Sequence, residues 1–440
     1  MASRALVLKL LILSGVTLAL SLVLMRIGWL VDERQQRQQE AVANVEQSQA
    51  GAQLLLGPLL LRQCSESWDV VSGEGKARVV SVEKRDFMLS AVPSSLQVSG
   101  ALNQEPRYRG LFKVNGYAGR LQMVAQWPTL AALQPQAEHA GGRLLCEPPQ
   151  AMLASSDVRG LRAATVKQGE QALAVKPGTL HPQYSRGLHA ALNAAAAADA
   201  PLTLTVNLEL SGTRSFALVP AAAATHLSLR SDWPHPSFGG RFLPSNREIS
   251  EAGFSAQWQV SELASAAAAE VLNGKPVAEL DTLDVALVDP VNPYVMSDRA
   301  IKYGLMFIAL TFVCVGIVEL LSGRRVHPVQ YLLVGLALSV FFLLLLSLSE
   351  HLPFAAAYAL AAAAAVSLLA FYGAAMLGSW QRGAVFGAGI STLYGALYVL
   401  LSLEQAALVI GALLLFAVLA VVMTLTRRLD WYALSGSEAK

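Results

Sequence analysis

The sequence is poor in cysteine and carries almost no net charge. Three cysteines occur in 440 residues, and 33 lysines and arginines stand against 31 aspartates and glutamates. No Cys-x-x-Cys pair and no Cys/His spacing typical of a zinc site is present. The near balance of charge gives no indication of nucleic-acid binding. We therefore expect no metal or other cofactor and no nucleic-acid partner.

Motifs of catalysis are also missing. The two Gly-Lys pairs, at 75–76 and 274–275, lack the Ser or Thr that follows the lysine of a P-loop. No H-E-x-x-H, G-x-S-x-G or G-x-G-x-x-G occurs, and the seven histidines are scattered. A Ser-His-Asp triad stays open, because the fold rather than the sequence brings its members together. We predict that the chain is not an enzyme.

Apolar residues, in contrast, are abundant: 54% of the chain is hydrophobic, and the last third is almost wholly apolar. Each run in that third has roughly the 17–25 residues that a helix needs to cross a bilayer. Five adjacent runs of this length cannot all be buried helices of a soluble domain. The pattern predicts a polytopic α-helical membrane protein, with these spans: Tyr303–Ser322, Pro328–Ser347, Pro353–Met376, Ala384–Leu403 and Ala406–Thr426.

The N-terminal run Leu6–Met25 contains one charge, Lys9. It could be a cleaved secretory signal or a permanent anchor. Its apolar part is longer than most signal cores, and the nearby A-x-A at 41–43 lies too far downstream for cleavage. Lys9 and Arg26 can extend to the two interfaces, with Trp29 in the aromatic belt. We expect an uncleaved anchor within residues 1–30, which makes six transmembrane helices.

The segment after the anchor changes in composition twice. Residues 31–53 are rich in good helix formers and predict a polar helical stalk, with a flexible linker as the alternative. Residues 54–297 show partial period-2 alternation, which predicts a large β-rich region of one or two domains. The clearest strand candidates are Arg78–Leu89, Leu111–Trp127, Leu202–Leu218, Phe254–Val260 and Leu280–Val288.

The short loops of the apolar third predict how the chain is threaded. Loops that carry arginine alternate strictly with the loops around Glu350 and Glu404, which have no lysine or arginine. By the positive-inside rule, both termini are cytoplasmic and the β-rich region between helices 1 and 2 is outside. The bundle covers residues 298–428 and a cytoplasmic tail 429–440. Arg26, Arg299 and Lys302 run against the rule, but they flank a long translocated segment, where it is weak. The candidate topology determinants are Arg324, Arg325, Arg382, Arg427 and Arg428.

Several ordered runs of residues stand out along the chain: Tyr108-Arg-Gly, Ser231–Gly240, Arg299–Phe312, Glu319-Leu-Leu, Arg325–Leu338, Leu345–His351 and Thr426–Tyr432. Together they resemble the CreD family of bacterial inner-membrane proteins, usually described as cell envelope integrity proteins. The resemblance is strongest after Ser231. It implies an inner-membrane location, one anchor, a large periplasmic domain, a C-terminal helical bundle and a role in envelope maintenance. It supplies no catalytic residues.

The segment from Asp232 to Gly240 carries the most information in the soluble region. Prolines and glycines fix its turns, while Trp233 and Phe238 are large apolar anchors. One interpretation is a recognition loop, with Asp232, Trp233, His235 and Phe238 docking on the membrane region or on an envelope partner. The other is a rigid corner between strands, whose aromatic rings fill the core.

Two further features leave alternatives open. Glu319 is an ionisable residue in a predicted membrane helix, where such groups are costly and often functional. Because it lies near Arg324 and Arg325, it can instead form an interfacial salt bridge. Cys64 and Cys146 both fall in the outer segment and can form a disulfide in an oxidising compartment.

The leading hypothesis for function is a non-enzymatic inner-membrane protein that supports envelope integrity through its periplasmic domain. Its surroundings are the lipid bilayer, and its partner is an unidentified periplasmic or envelope protein. The alternative is a transporter or export accessory with a path through the bundle. A sensor is disfavoured by the short cytoplasmic loops, and an intramembrane enzyme by the lack of paired catalytic residues.

Overall fold

The computed structural model describes residues 2–72, 79–193, 200–289, 292–322, 326–403 and 407–427. The chain divides into two compact units. The helical unit contains residues 1–39 and 291–440, and the β unit contains residues 40–290. The first helix contributes its apolar part to the helical unit and its last turns to the β unit.

Seven α-helices occur in the described residues: α1 (Ala2–Ser48), α2 (Ala267–Leu272), α3 (Pro293–Ser322), α4 (Pro328–Ser349), α5 (Phe354–Leu377), α6 (Trp380–Ser402) and α7 (Ala407–Thr426). Within the described chain, α1, α3, α4, α5 and α6 are long and apolar enough to cross a membrane. The searched part of α7, Val409–Thr424, is a shorter apolar helix. The polytopic helical prediction is therefore confirmed, while the sixth span stays a prediction.

Helix α1 continues without a break through the polar residues that follow the anchor. An ion pair between Arg37 and Glu33, one turn apart at 2.5 Å, supports this exposed part of the helix. The helix ends at Ser48, five residues before the predicted end of the stalk. Helix α3 begins ten residues before the apolar run does, because Asn292 Oδ1 accepts the Tyr294 N–H and Pro293 occupies the first position.

The β unit contains nineteen strands in its described residues: β1 (Gln53–Ser72), β2 (Val79–Ala91), β3 (Ser95–Gln104), β4 (Arg107–Arg109), β5 (Phe112–Val114), β6 (Gly116–Trp127), β7 (Arg143–Cys146), β8 (Gln150–Ser155), β9 (Leu161–Gln168), β10 (Gln171–Leu173), β11 (Val175–Pro177), β12 (Gly187–Ala191), β13 (Leu202–Thr213), β14 (Ser215–Leu218), β15 (Ala224–Ser231), β16 (Pro236–Gly240), β17 (Asn246–Ser250), β18 (Gly253–Ser261) and β19 (Leu283–Leu287). The β-rich prediction is confirmed.

The strands form two large sheets and a small hairpin of β4 and β5. The nine-stranded sheet has the order β11-β12-β8-β1-β14-β19-β16, with β2 and β7 also paired to β1. The eight-stranded sheet has the order β10-β9-β13-β6-β3-β15-β18-β17. Along β13 and β6, buried residues alternate with more exposed ones. One apolar core contains side chains of both sheets, such as Leu60 and Phe216 from one and Met123 and Trp258 from the other. The outer face of the eight-stranded sheet is left exposed.

Helices α5 and α6 approach each other through small residues. A Cβ atom on Gly383 would lie 2.6 Å from the Cα atom of Ala374, and one on Gly387 would lie 2.7 Å from the Ala370 Cβ atom. Small residues allow such close packing where lipid gives no hydrophobic drive for association. These two glycines of α6 therefore lie at its contact with α5.

Candidate functional site at the two ends of the first helix

One cluster of polar side chains joins α1, α3 and α4. Lys9 Nζ lies 2.5 Å from Glu319 Oε1, and the Tyr331 hydroxyl donates to Glu319 Oε2 at 2.9 Å. The Lys9 ammonium also lies 5.7 Å from the centre of the Tyr331 ring. The Glu319 side chain is only 15% exposed, so an unpaired charge there would be costly. We call Lys9, Glu319 and Tyr331 the first cluster.

A second cluster joins the same three helices further along α1. Arg34 Nε lies 3.5 Å from Glu350 Oε1, and the Tyr294 hydroxyl donates to the same oxygen at 3.2 Å. The Glu350 side chain is 9% exposed and directly follows α4. One turn after Arg34, Gln38 Oε1 accepts the Asn292 amide at 3.1 Å. We call Arg34, Tyr294 and Glu350 the second cluster.

The two clusters lie further apart along α1 than the hydrocarbon core of a bilayer is thick. Arg34 follows Lys9 by 25 residues, which is a rise of about 38 Å along a helix. The hydrocarbon core of a bilayer is about 30 Å thick. The first cluster lies at the end of α3 and the start of α4. The second cluster lies at the start of α3 and the end of α4. The antiparallel pair α3–α4 therefore presents one carboxylate to α1 near each interface.

Between the clusters, α1 packs on α3 and α4 through apolar contacts. Leu20 is fully buried and Leu24 is 5% exposed. A Cβ on Gly335 of α4 would lie 2.1 Å from the Leu20 side chain, and one on Gly304 of α3 would lie 3.1 Å from Leu24. Each leucine thus fills a notch that a glycine leaves open. Two ion pairs and two notches fix the rotation and the height of α1 against the bundle.

Glu319 is a candidate from the sequence, but its partner on α1 is not. The arginines expected beside it, Arg324 and Arg325, lie outside the described residues. The sequence indicates Lys9 only as an interfacial charge, because 310 positions separate it from Glu319. A signal was present: each residue is an isolated charge in its own apolar run, and the two charges are opposite.

The chain is similar to known proteins over nearly its whole length. The family model described as "Inner membrane protein CreD" matches residues 5–432. The chain belongs to the CreD family. The protein named Inner membrane protein CreD from Escherichia coli (strain K12) is 34% identical over 433 residues, covering 97% of this chain and 94% of that protein. The match includes both clusters and the β unit.

A solved structure is also similar to part of the chain. It is a substrate-bound M1 zinc metallopeptidase mutant from Deinococcus radiodurans, 10% identical, covering 44% of this chain and 42% of that one. Its TM-score is 0.22, which is too low to carry an argument. In the described part of this CreD family member, no group of three or more His, Cys, Asp or Glu residues could hold a metal ion.

The predicted recognition segment lies where the chain passes from β15 to β16, between the two sheets. Asp232 Oδ1 accepts the Gln104 N–H at 2.7 Å. Trp233 is buried, and its indole N–H lies 2.9 Å from the His235 carbonyl and 3.2 Å from that of Val288. These contacts are those of a corner between sheets.

Two other residues of that corner point in different directions. Phe238 packs edge-on against Phe254 and Trp258, with ring centres 5.6 and 5.7 Å apart. The His235 side chain is exposed. A docking role for this segment stays a prediction, in which His235 and the exposed Asp232 would supply the accessible groups.

Cys64 and Cys146 form a disulfide in the structure. The two residues stand directly opposite each other on β1 and β7 and close a loop with a sequence separation of 82. Beside them on β1, Glu66 is fully buried and accepts the His139 N–H at 2.8 Å. That main-chain donor lowers the pKa of the Glu66 carboxyl. These bonds attach the segment before β7 to the long hairpin of β1 and β2.

The remaining predicted topology residues are partly described. Arg382 lies in the first turn of α6, Arg427 follows α7, and both are exposed. Arg428 and the tail 429–440 lie outside the described residues.

Proposed function

We propose that this CreD family member is a non-enzymatic inner-membrane protein that supports cell envelope integrity through its β unit on the periplasmic side. The observation that carries the proposal is the attachment of α1. Ion pairs hold it to the bundle at both ends, and the same helix runs on into the β unit. Such a helix suits a fixed anchor for an external domain.

The last turns of α1 are bonded firmly within the β unit. Glu46 Oε1 lies 2.7 Å from Arg214 Nε and 3.4 Å from the Thr213 hydroxyl. Arg159 donates to the Gln47 carbonyl and is itself paired with Asp157 at 2.6 Å. These bonds keep α1 from turning freely at the point where the strands begin. They support the proposal that α1 is the anchor of the β unit, because they join its last turns to the strands.

The proposed threading has six spans, cytoplasmic termini and a periplasmic β unit. Its support is the alternation of arginine-bearing loops with loops that have none. Reporter fusions after Val326, Glu350, Arg382 and Leu403 should report inside, outside, inside and outside. Two neighbouring fusions on the same side would contradict the six-span threading, and with it the periplasmic position of the β unit.

A transporter or export accessory is the second candidate. One observation favours it: in the described residues, the buried Tyr394 hydroxyl has no hydrogen-bond partner, while its carbonyl accepts the Tyr358 hydroxyl at 2.7 Å. Against it, Phe341 packs on both rings, at 5.5 Å from Tyr358 and 4.6 Å from Tyr394. The described helices α3 to α6 are also unbroken, whereas transporter sites are commonly built on discontinuous helices.

Complementation of a deletion strain separates the two candidates. The readout is release of a periplasmic marker enzyme together with growth in dilute detergent. Tyr394→Phe removes the one hydroxyl that favours a transport path, and Tyr398→Phe is the matched control on the same helix. We expect both variants to restore envelope integrity at normal abundance. Loss of function in Tyr394→Phe alone would overturn the anchoring proposal in favour of transport.

A further inference from the structure

The outer face of the eight-stranded sheet carries a row of uncharged polar side chains. The strand registers place seven residues directly beside one another across seven strands. With neighbouring strands about 4.8 Å apart, the row is about 29 Å long. Every member is an amide or a hydroxyl side chain, and each is exposed or half-exposed. In order across the sheet they are Thr165, Asn207, Gln122, Ser99, Ser228, Gln257 and Asn246.

The row lies in a surface that is depressed along most of its length. Three adjoining hollows, of about 620, 450 and 380 Å³, cover this face. The first two share Ser99 and Gln122, so the row runs from one into the other. A ligand lying across the strands would therefore meet a shallow, continuous groove.

The side chains of the row are available to a ligand. Within the described chain, the one hydrogen bond between its members runs from the Asn207 amide to Thr165 Oγ1, at a long 3.5 Å. No side-chain hydrogen bond to another protein group is made by Gln122, Ser99 or Gln257 in those residues. Amides and hydroxyls both donate and accept, so the row matches a partner that does the same.

The charges beside the row narrow the ligand class. On the row to one side, Arg120 and Glu209 pair at 3.5 Å, and Arg230 and Glu248 add one charge of each sign. The row to the other side carries Lys167 and His226. Because cations and carboxylates both flank the row, an anionic ligand would meet Glu209 and Glu248 as well as the basic side chains. A peptide strand would be bound through main-chain groups at a sheet edge rather than on a face. A sheet face that is exposed to solvent is polar by default. Solubility alone, however, does not require that one row of side chains across seven strands contain only uncharged polar residues.

We propose that this row binds a linear, uncharged glycan chain, whose hydroxyl groups bond to the amide and hydroxyl side chains. The biological part of this inference rests on the proposed function, because a periplasmic β unit has access to envelope polysaccharides. The binding chemistry does not depend on it.

Titration calorimetry with the full-length protein in detergent tests the inference. The probes are hexamers of N-acetylglucosamine, hexamers of glucose and a polyuronate of similar length. We expect a neutral hexamer to bind and the polyuronate to bind at least tenfold more weakly. The better neutral probe indicates whether an acetamido-bearing or a plain glucan chain is the source. Absence of binding by both neutral hexamers, or preference for the polyuronate, would overturn the inference.

Matched variants locate the site. Gln122→Ala removes a central member of the row, and Gln126→Ala removes the same residue type from the same strand and face, two rows away. Gln122→Ala should weaken binding at least fivefold, and Gln126→Ala should leave it within twofold. Ser228→Ala, a smaller change in the same row, is the second variant in case Gln122→Ala lowers the melting temperature. Equal binding by wild type and both row variants would contradict the assignment.

The outcomes separate this inference from the proposed function. Reporter fusions that place the β unit inside the cell would overturn the proposed function while the calorimetry could still show binding. Intact complementation with no glycan binding would overturn only the inference.

Discussion

The two units of this CreD family member are specified by different kinds of residue. In the β unit, alternation of apolar and polar residues decides which face of each strand is buried, as β13 and β6 show. In the helical unit nearly every residue is apolar, so hydrophobicity cannot decide which helix face meets which neighbour. There, glycines such as Gly335 and isolated charges such as Lys9 and Glu319 make that choice. In the β unit, the alternation of apolar and polar residues decides what is buried. In the helical unit, a few glycines and isolated charges decide which helix faces are buried.

The largest effect is expected where a glycine of the helical unit meets backbone. Gly383→Leu would force a side chain into Ala374, whereas a Cβ at Gly389 on the same helix meets nothing within 4 Å. We expect Gly383→Leu to abolish accumulation of folded protein in the membrane and Gly389→Leu to leave it near wild type. Membrane abundance and detergent-solubilised melting temperature measure this. Equal abundance of the two variants would mean that small residues do not determine the α5–α6 contact.

In the β unit, the largest effect is expected from a core aromatic residue. Trp258 is 2% exposed, and its indole N–H donates to the Phe242 carbonyl at 3.1 Å. Trp258→Ala should lower the free energy of unfolding by about 3–5 kcal/mol. Tyr108→Ala, at a 68% exposed aromatic residue, is the control and should change little. The two variants are compared by denaturant unfolding, monitored by circular dichroism at wavelengths that report β structure. Similar unfolding midpoints for the two variants would refute the assigned core.

The disulfide should have a smaller effect on the same unit. Closing a loop with a separation of 82 residues stabilises a chain by up to about 4 kcal/mol in the entropy model, and commonly by less. Cys64→Ser should therefore lower the melting temperature of the β unit, and reductant should do the same to wild type but not to the variant. Thiol labelling of unreduced wild type at Cys64 or Cys146 would show that the bond does not form.

These expectations also show what could be read from the sequence. All five strand candidates contain strands, because alternation is a local pattern, but Leu111–Trp127 and Leu202–Leu218 each divide into two strands. The sequence does not indicate β1, because its run Leu54–Leu61 is apolar nearly throughout. Glu319 could be singled out as a charge in an apolar run, but its pairing with Lys9 depends on which helices become neighbours. The polar row could not be found at all, because its members come from seven strands and meet only through the registers.

The smallest effect concerns Asp157, which lies where α1 joins the strands. The hydrogen bond from the Arg159 side chain lowers the pKa of this carboxyl to about 2. Because its pKa is lower in the folded state, its stabilising contribution is present above about pH 4 and is lost as the pH falls towards 2. Asp157→Asn should cost less than about 1 kcal/mol at neutral pH, since the pair is partly solvated. The melting temperature should fall less between pH 7 and pH 2.5 for Asp157→Asn than for wild type. An equal fall in the two proteins would contradict this prediction.

The most direct test of the account is a charge swap in the first cluster. If Lys9 and Glu319 hold α1 to α3, then Lys9→Glu and Glu319→Lys should each lower the melting temperature and membrane abundance, because like charges then meet away from water. Glu319→Gln should be milder, since its amide oxygen can still accept the Tyr331 hydroxyl. The double variant Lys9→Glu with Glu319→Lys should recover most of both quantities. Single variants that match wild type, or a double variant no better than the worse single one, would contradict the claim that this pair holds α1 in place.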